Sequence, residues 1–251
     1  MLAELASQAF WLGLLKIIGV NIILSGDNAV VIALAARSLP ARQQKQAVLW
    51  GAGAAVVLRI ILTIFAAALL ALPWLKLIGS LLLFWIGVKL LIPEDDDDEI
   101  QASEHLMTAI KTILIADLVM SLDNVIAVAA AAGGSYVLLI LGLAISIPLV
   151  IFGATLLIKL MERFPMIITA GAGLIGWVAG EMLVADLALK GWFEAMGVRY
   201  KGEHPQVGGV SLEIIAAVIG FIVVVAVGKW LGSRKPQAAA AEQPADGRAR
   251  N

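Results

Sequence analysis

The chain has 251 residues, of which 61% are hydrophobic and 15% charged, with a formal net charge of −1 and a mean hydropathy of +0.96. Soluble domains carry about 25% charged residues, so a membrane class is the first to test. A near-neutral chain without a basic stripe gives no ground for nucleic acid, and the lack of cysteine excludes disulfides and thiolate metal sites.

A membrane-crossing helix takes about 20 mostly apolar residues. Seven segments meet this, at 8–36, 47–72, 74–92, 106–132, 136–158, 165–187 and 212–231. The first has no basic leader region and runs on through Asp27, which predicts a retained span and not a cleaved signal. The second carries Arg59 in mid-span, and the third ends near Lys89. Residues 93–105 (PEDDDDEIQASEH) form an acidic polar loop, and the fourth segment carries Asp117 and Asp123. Residues 188–211 form the longest connection, with Trp192 and Phe193 placed as interfacial anchors. The low-complexity stretch 236–251 is expected to be a disordered tail.

Orientation follows from Lys and Arg. With the N-terminus outside, the inner ends and loops hold 12 of the 18 basic residues, from Arg37, Arg42 and Lys45 to Arg248 and Arg250. The short outer links hold only Lys76, and the 188–211 loop holds three. The positive-inside rule therefore predicts N-terminus out and C-terminus in, with the acidic loop and the tail cytoplasmic.

The chain also matches itself. Leu14–Leu39 aligns with Ile110–Ser135 at an offset of 96, so that Asn21 falls on Asp117, Ser25 on Ser121, Asp27 on Asp123 and Asn28 on Asn124. The third and sixth segments align at an offset of 92, placing Gly79 on Gly171, Trp85 on Trp177 and Lys89 on Glu181. A unit of three spans is odd, so its second copy enters from the opposite side. The predicted fold class is an all-α membrane protein of seven transmembrane helices. It comprises two inverted three-helix repeats (8–92 and 106–187) and a final helix.

The S-x-D-N pairs carry the chemistry. An ionised Asp at a helix centre costs about 2.5–3.5 kcal/mol on insertion scales, and here the cost falls twice at equivalent positions. An interhelical hydrogen bond is the plainer explanation, but Ser and Asn beside each Asp make a cluster rich in oxygen ligands. At 100° per residue, Asn21, Ser25 and Asn28 share about a 60° arc, while Asp27 lies 100° from Asn28. An unbroken helix therefore cannot aim all four groups at one small ion. Either two cavities share each helix or the backbone unwinds at the motif. Gly26 favours unwinding in the first copy, where Leu122 stands in the second. Carboxylate, amide and hydroxyl oxygens suit hard cations such as Mn²⁺, Mg²⁺ or Ca²⁺, whereas zinc and copper favour Cys and His. The dispersed methionines read as core filling.

NIILSGDNAVVIALA and DLVMSLDNVIAVAAA resemble the paired motifs of the TerC family, and the compact seven-span length resembles its YjbE-like branch. The resemblance covers most of residues 8–232. It implies a transporter in the bacterial plasma membrane, with manganese(II) export the expected activity. It also implies that Asp27, Asn28, Asp123 and Asn124 belong to the transport site. Asp117, Asn21, Ser25 and Ser121 complete the expected ligand set. The metal is then cargo, with no tightly bound cofactor, and protons are the expected coupling ion. Expected partners are the lipid bilayer and the cation, and the oligomeric state is not legible.

Lys89, Glu181 and Arg59 form a second tier as gating or coupling residues. Against this, Lys89 snorkels readily, and Arg59, whose repeat position near Val150 is apolar, would neutralise a buried carboxylate. Asp186 and Glu213 are explained by solvation at helix ends, and the EDDDDE run by a solvated loop. Two other readings remain, a small-molecule exporter and a membrane scaffold that assists a partner without transport. An enzyme is not expected, because the chain lacks a nucleophile–base set, an HExxH and a cofactor motif.

Overall fold

The computed structural model describes residues 8–65, 69, 72–92, 102–132, 135–202 and 204–234. Its helices in chain order are α1 (Gln8–Leu24), α2 (Gly26–Ala36), α3 (Ala41–Ile64), α4 (Leu75–Lys89), α5 (Ala102–Ala132) and α6 (Tyr136–Arg163). They continue with α7 (Met166–Val184), α8 (Leu187–Ala195) and, after a small sheet, α9 (Leu212–Arg234). The segment 93–101, residues 133–134 and the tail from 235 lie outside the described residues, and with them most of the acidic loop.

Among the described residues, five helices are long and apolar enough to cross a membrane: α3, α5, α6, α7 and α9. The α1–α2 pair makes a sixth if counted as one span bent by 49°. The expected seven-span count is therefore not reached on length alone. The shortfall is α4, whose 15 residues rise about 22 Å against a hydrocarbon core of about 30 Å.

The first span is broken where the sequence offered Gly26. Ser25 leaves helical geometry at φ −110°, ψ 5°, and its carbonyl accepts from Ala29 N to start α2. The equivalent stretch of the second copy stays inside the unbroken 31-residue α5. Without a glycine in its motif, α5 retains its full ladder of backbone hydrogen bonds.

The packing is reciprocal. α3 lies mainly along α5, while α1 and α2 lie along α6. α4 packs on α7, and α7 packs most extensively on α9. At the last crossing Gly176 and Gly180 face Ala216 and Gly220 so closely that a Cβ on Gly180 would strike the Ala216 carbonyl oxygen. Small residues let helix backbones meet this way inside lipid, where apolar burial alone gives no drive to associate. The core joins Val31, Ile32 and Leu34 of α2 to Ile113 and Met120 of α5 and Ile175 and Met182 of α7. The outward faces remain apolar, as with Ile145, Leu149, Phe152 and Leu156 of α6 and Ile215, Ile219 and Ile222 of α9. A helix apolar all round with one face uncovered suits a lipid boundary.

The stretch 188–211 is structured. Asp186 caps α8 by accepting from Ala188 N, and β1 (Arg199–Lys201), β2 (His204–Val207) and β3 (Val210–Ser211) form an antiparallel sheet in that order. The sheet is a small addition to an otherwise helical chain. Trp192 is exposed as an anchor would be, but Phe193 is 9% exposed and packs inward.

Candidate functional site

Two faces of equal spacing build the central cluster. Asn21 and Ser25 are four residues apart, as are Asp117 and Ser121 on α5, so each pair presents its side chains together. Arg59 of α3 reaches between them. Its Nη2 donates to Asp117 Oδ1 at 2.6 Å and its Nε to Ser121 Oγ at 2.9 Å. Nη1 donates to both Asn21 Oδ1 and Ser25 Oγ at 2.8 Å. Ser25 passes a bond on to Asn21 and Ser121 to Asp117, each at 3.2 Å. All five side chains are buried, Ser121 completely and Arg59 to 4% exposure.

A guanidinium is a planar fork of five N–H donors, and the four oxygens of this ring take up four of them. An isolated charge at this depth would be untenable, but here it is paired and hydrogen-bonded. The same oxygens are therefore not free for a metal while Arg59 lies among them. Sequence reasoning placed Arg59 in a second tier, and the structure puts it at the centre.

Asp27 and Asn28 sit beside this cluster at the start of α2. Asp27 lies in the first turn, half-buried, and its Oδ1 accepts from Asn28 N at 2.8 Å. A carboxylate there complements the positive end of the helix dipole. Ser25 makes no side-chain cap, because its hydroxyl is engaged by Arg59 and Asn21. Asn28 is 3% exposed, yet neither Nδ2 nor Oδ1 has a partner. Of the three such buried side-chain atoms among the described residues, two belong to this one amide. An orphaned buried polar group costs about 1–3 kcal/mol, so a native one calls for an explanation.

From the second motif, Asn124 is half-buried on α5, and the side chain of Asp123 lies outside the described ones. Among the described residues no three Asp, Glu or His side chains converge. Asp117 belongs to the Arg59 ring and Asp27 follows Ser25 of that ring by two residues, and hydroxyl and amide oxygens make up the rest. One turn along α3 from Arg59, Thr63 bonds to the Arg59 carbonyl and lines a cavity of about 180 Å³. Ala129, Ser135, Tyr136 and Leu139 form other parts of its wall.

The remaining second-tier residues lie apart. Lys89 stands 5.3 Å over the Trp85 ring, and Trp177 Nε1 donates to Glu181 Oε1 at 2.8 Å. In both aligned pairs the charged side chain meets the tryptophan one turn before it, and neither charge is a partner of Arg59. Asp186 departs from the solvated reading. It is 3% exposed, and its carboxylate accepts from Trp74 N, Leu77 N and Ala188 N at 2.8–3.0 Å. Burial pushes its pKa up, but the N–H groups of Leu77, Ala188, Trp74 and Lys76 outweigh this and hold it below the usual carboxylate value. Those bonds hold Trp74 in a left-handed conformation, φ 70°, at the start of α4. An Asp directly before a helical run is an N-cap signal that could have flagged α8, but not the tie to α4. Glu213 pairs with exposed His204 at 2.9 Å.

The family model described as integral membrane protein TerC family matches residues 6–236. An uncharacterised membrane protein of Bacillus subtilis, YjbE, is 46% identical over 72% of this chain and 83% of its own length. A second from that organism, YkoY, is 28% identical over 96% of this chain and 78% of its own. A third, YceF, is 28% identical over 64% and 66%. No solved structure matches.

Proposed function

Since this chain belongs to the TerC family of integral membrane proteins, we propose that it exports a divalent metal cation, Mn²⁺ foremost, from the bacterial cytoplasm. The cation binds at the start of α2 among Asp27, Asn28, Asp123 and Asn124, beside the Arg59 cluster. The observation that carries this reading is the unpartnered amide of Asn28 next to Asp27, buried where a span is broken. Transporters place broken helices at midplane sites, where helix ends and freed carbonyls meet an ion. An amide oxygen lacking a donor and a carboxylate one residue away are two donors of the kind a hard-cation shell takes. The ligand set lacks sulfur and imidazole, which favours Mn²⁺, Mg²⁺ or Ca²⁺ over zinc or copper.

The reciprocal packing of α3 on α5 and of α1–α2 on α6 is what two inverted units would produce, and it supports that architecture with α4 as a short span. With the N-terminus outside and the C-terminus inside, the broken span offers the site from one face at a time. Protons exchange for the metal, because carboxylates that release the cation can take them up.

The test is transport by the full chain in liposomes. Mn²⁺ flux should rise with an imposed proton gradient, and excess Mg²⁺ or Ca²⁺ should compete more effectively than Zn²⁺. Vesicles that hold folded protein yet leak Mn²⁺ no faster than empty ones would end this reading.

A further inference from the structure

We propose that Arg59 is a tethered cation that holds the oxygen cage of Asn21, Ser25, Asp117 and Ser121 when no metal is bound, and withdraws into the cavity beyond Thr63 when a divalent ion arrives. The inference rests on the transport reading above and adds what holds the neighbouring cage oxygens between cargoes. Three observations carry it. The cage draws one amide or carboxylate and one hydroxyl from each aligned motif, whereas Arg59 comes from α3 and has no repeat counterpart. Its occupant is thus supplied from outside the symmetric set, as a stand-in would be.

The charges also fit exchange. A guanidinium in the cage and a divalent ion at Asp27 and Asn28 would be like charges in a medium that screens poorly, and both are drawn by the same carboxylates. Asp27 stands two residues after Ser25, an oxygen of the cage. Arg59 also has somewhere to go. The cavity of about 180 Å³ opens one turn away on its own helix face. An arginine stem spans one 5.4 Å turn, and the wall offers the hydroxyls of Thr63, Ser135 and Tyr136 as acceptors.

The chain has no cysteine, so one introduced thiol reports alone. Ala129→Cys places it on the cavity wall. In liposomes holding the full chain, saturating Mn²⁺ should slow modification of that thiol by a small methanethiosulfonate, because the guanidinium fills the space. In Ala129→Cys/Arg59→Met, Mn²⁺ should leave the rate unchanged. Arg59→Met should bind Mn²⁺ about tenfold more tightly, since no internal competitor is displaced. It should retain Mn²⁺/Mn²⁺ exchange across the vesicle and lose net transport. If Arg59→Met fails to fold, Arg59→Lys serves, because an ammonium has three donors for four oxygens and should hold the cage less firmly. It should then bind Mn²⁺ more tightly while net transport survives.

Mn²⁺ binding by the parent with no change in thiol rate, or equal or weaker binding in both Arg59 variants, would overturn the tethered-cation inference and leave the transport reading intact. If the folded parent binds none of Mn²⁺, Mg²⁺ and Ca²⁺, the transport reading falls and takes this one with it.

Discussion

Removing Asp117 tests whether Arg59 and Asp117 stabilise the fold as a pair. Asp117→Ala strips the 2.6 Å charge-assisted bond and leaves a guanidinium, 4% exposed, with only neutral acceptors. Breaking a buried ion pair from one side costs about 3–5 kcal/mol, most of it from stranding the surviving charge. Arg59→Met should cost a similar amount, because Asp117 then keeps only the 3.2 Å bond from Ser121. Asn21→Ala removes one neutral acceptor from a charged donor, worth about 1.5–3 kcal/mol. The discriminating protein is Arg59→Met/Asp117→Ala, in which no charge is stranded. Its loss should fall well below the sum of the single changes, with a coupling of about 2–4 kcal/mol. Equilibrium unfolding of the parent and the four variants in detergent, followed by tryptophan fluorescence, measures each. Additive losses would refute the view that the two charges stabilise the fold by pairing.

Asp27→Asn should abolish Mn²⁺ transport without impairing insertion, since it removes a charge and its insertion cost while keeping shape; Asp123→Asn should do the same. Folded variants that each move Mn²⁺ at the parent rate would exclude carboxylate ligation. Asp186→Ala should destabilise by about 2–4 kcal/mol through three N–H groups left without an acceptor, read from unfolding in detergent. Because the folded pKa of Asp186 is lowered, its contribution is present above the usual carboxylate value of 3.8 and disappears as pH falls through the folded value. The parent should therefore lose more stability in that acid window than Asp186→Ala does. Single thiols at the N-terminus and at Gly134 should react from outside, and at Asp96 and beyond Lys235 only from inside; Asp96 and Gly134 on the same side would remove the inverted repeat.

Much of this was legible because lipid makes polar residues conspicuous. Asn21, Ser25, Arg59, Asp117 and Ser121 stand out of apolar runs, and all five meet in one cluster. The alternative between sharing cavities and unwinding turned on one residue, and the backbone breaks beside Gly26 while the Leu122 copy continues. That Arg59 would neutralise a buried carboxylate was legible, but which carboxylate was not. Arg59 and Asp117 are 58 residues apart, and no local spacing says which oxygens a guanidinium will reach. Asp186 was misjudged for the same reason. Its bonds to Trp74 and Leu77 span 112 and 109 residues, and an Asp at a helix boundary reads as solvated until a second helix start arrives beside it. The short α4 and the sheet after α8 escaped because hydropathy measures apolar length, which loops and interfacial turns also supply.

The tie at Asp186 has a mechanical consequence. One carboxylate locks the first turns of α4 and α8 to the end of α7, and α7 meets α9 glycine to glycine. Surfaces that interlock backbone to backbone cannot slide by a turn without collision, so α4, α7, α8 and α9 behave as a chassis. The Arg59 cluster is built entirely on the other helices, with a severed rod, α1–α2, set against a continuous one, α5. Backbone hydrogen bonds stiffen each half of the severed rod, so any bending of it concentrates at the cut.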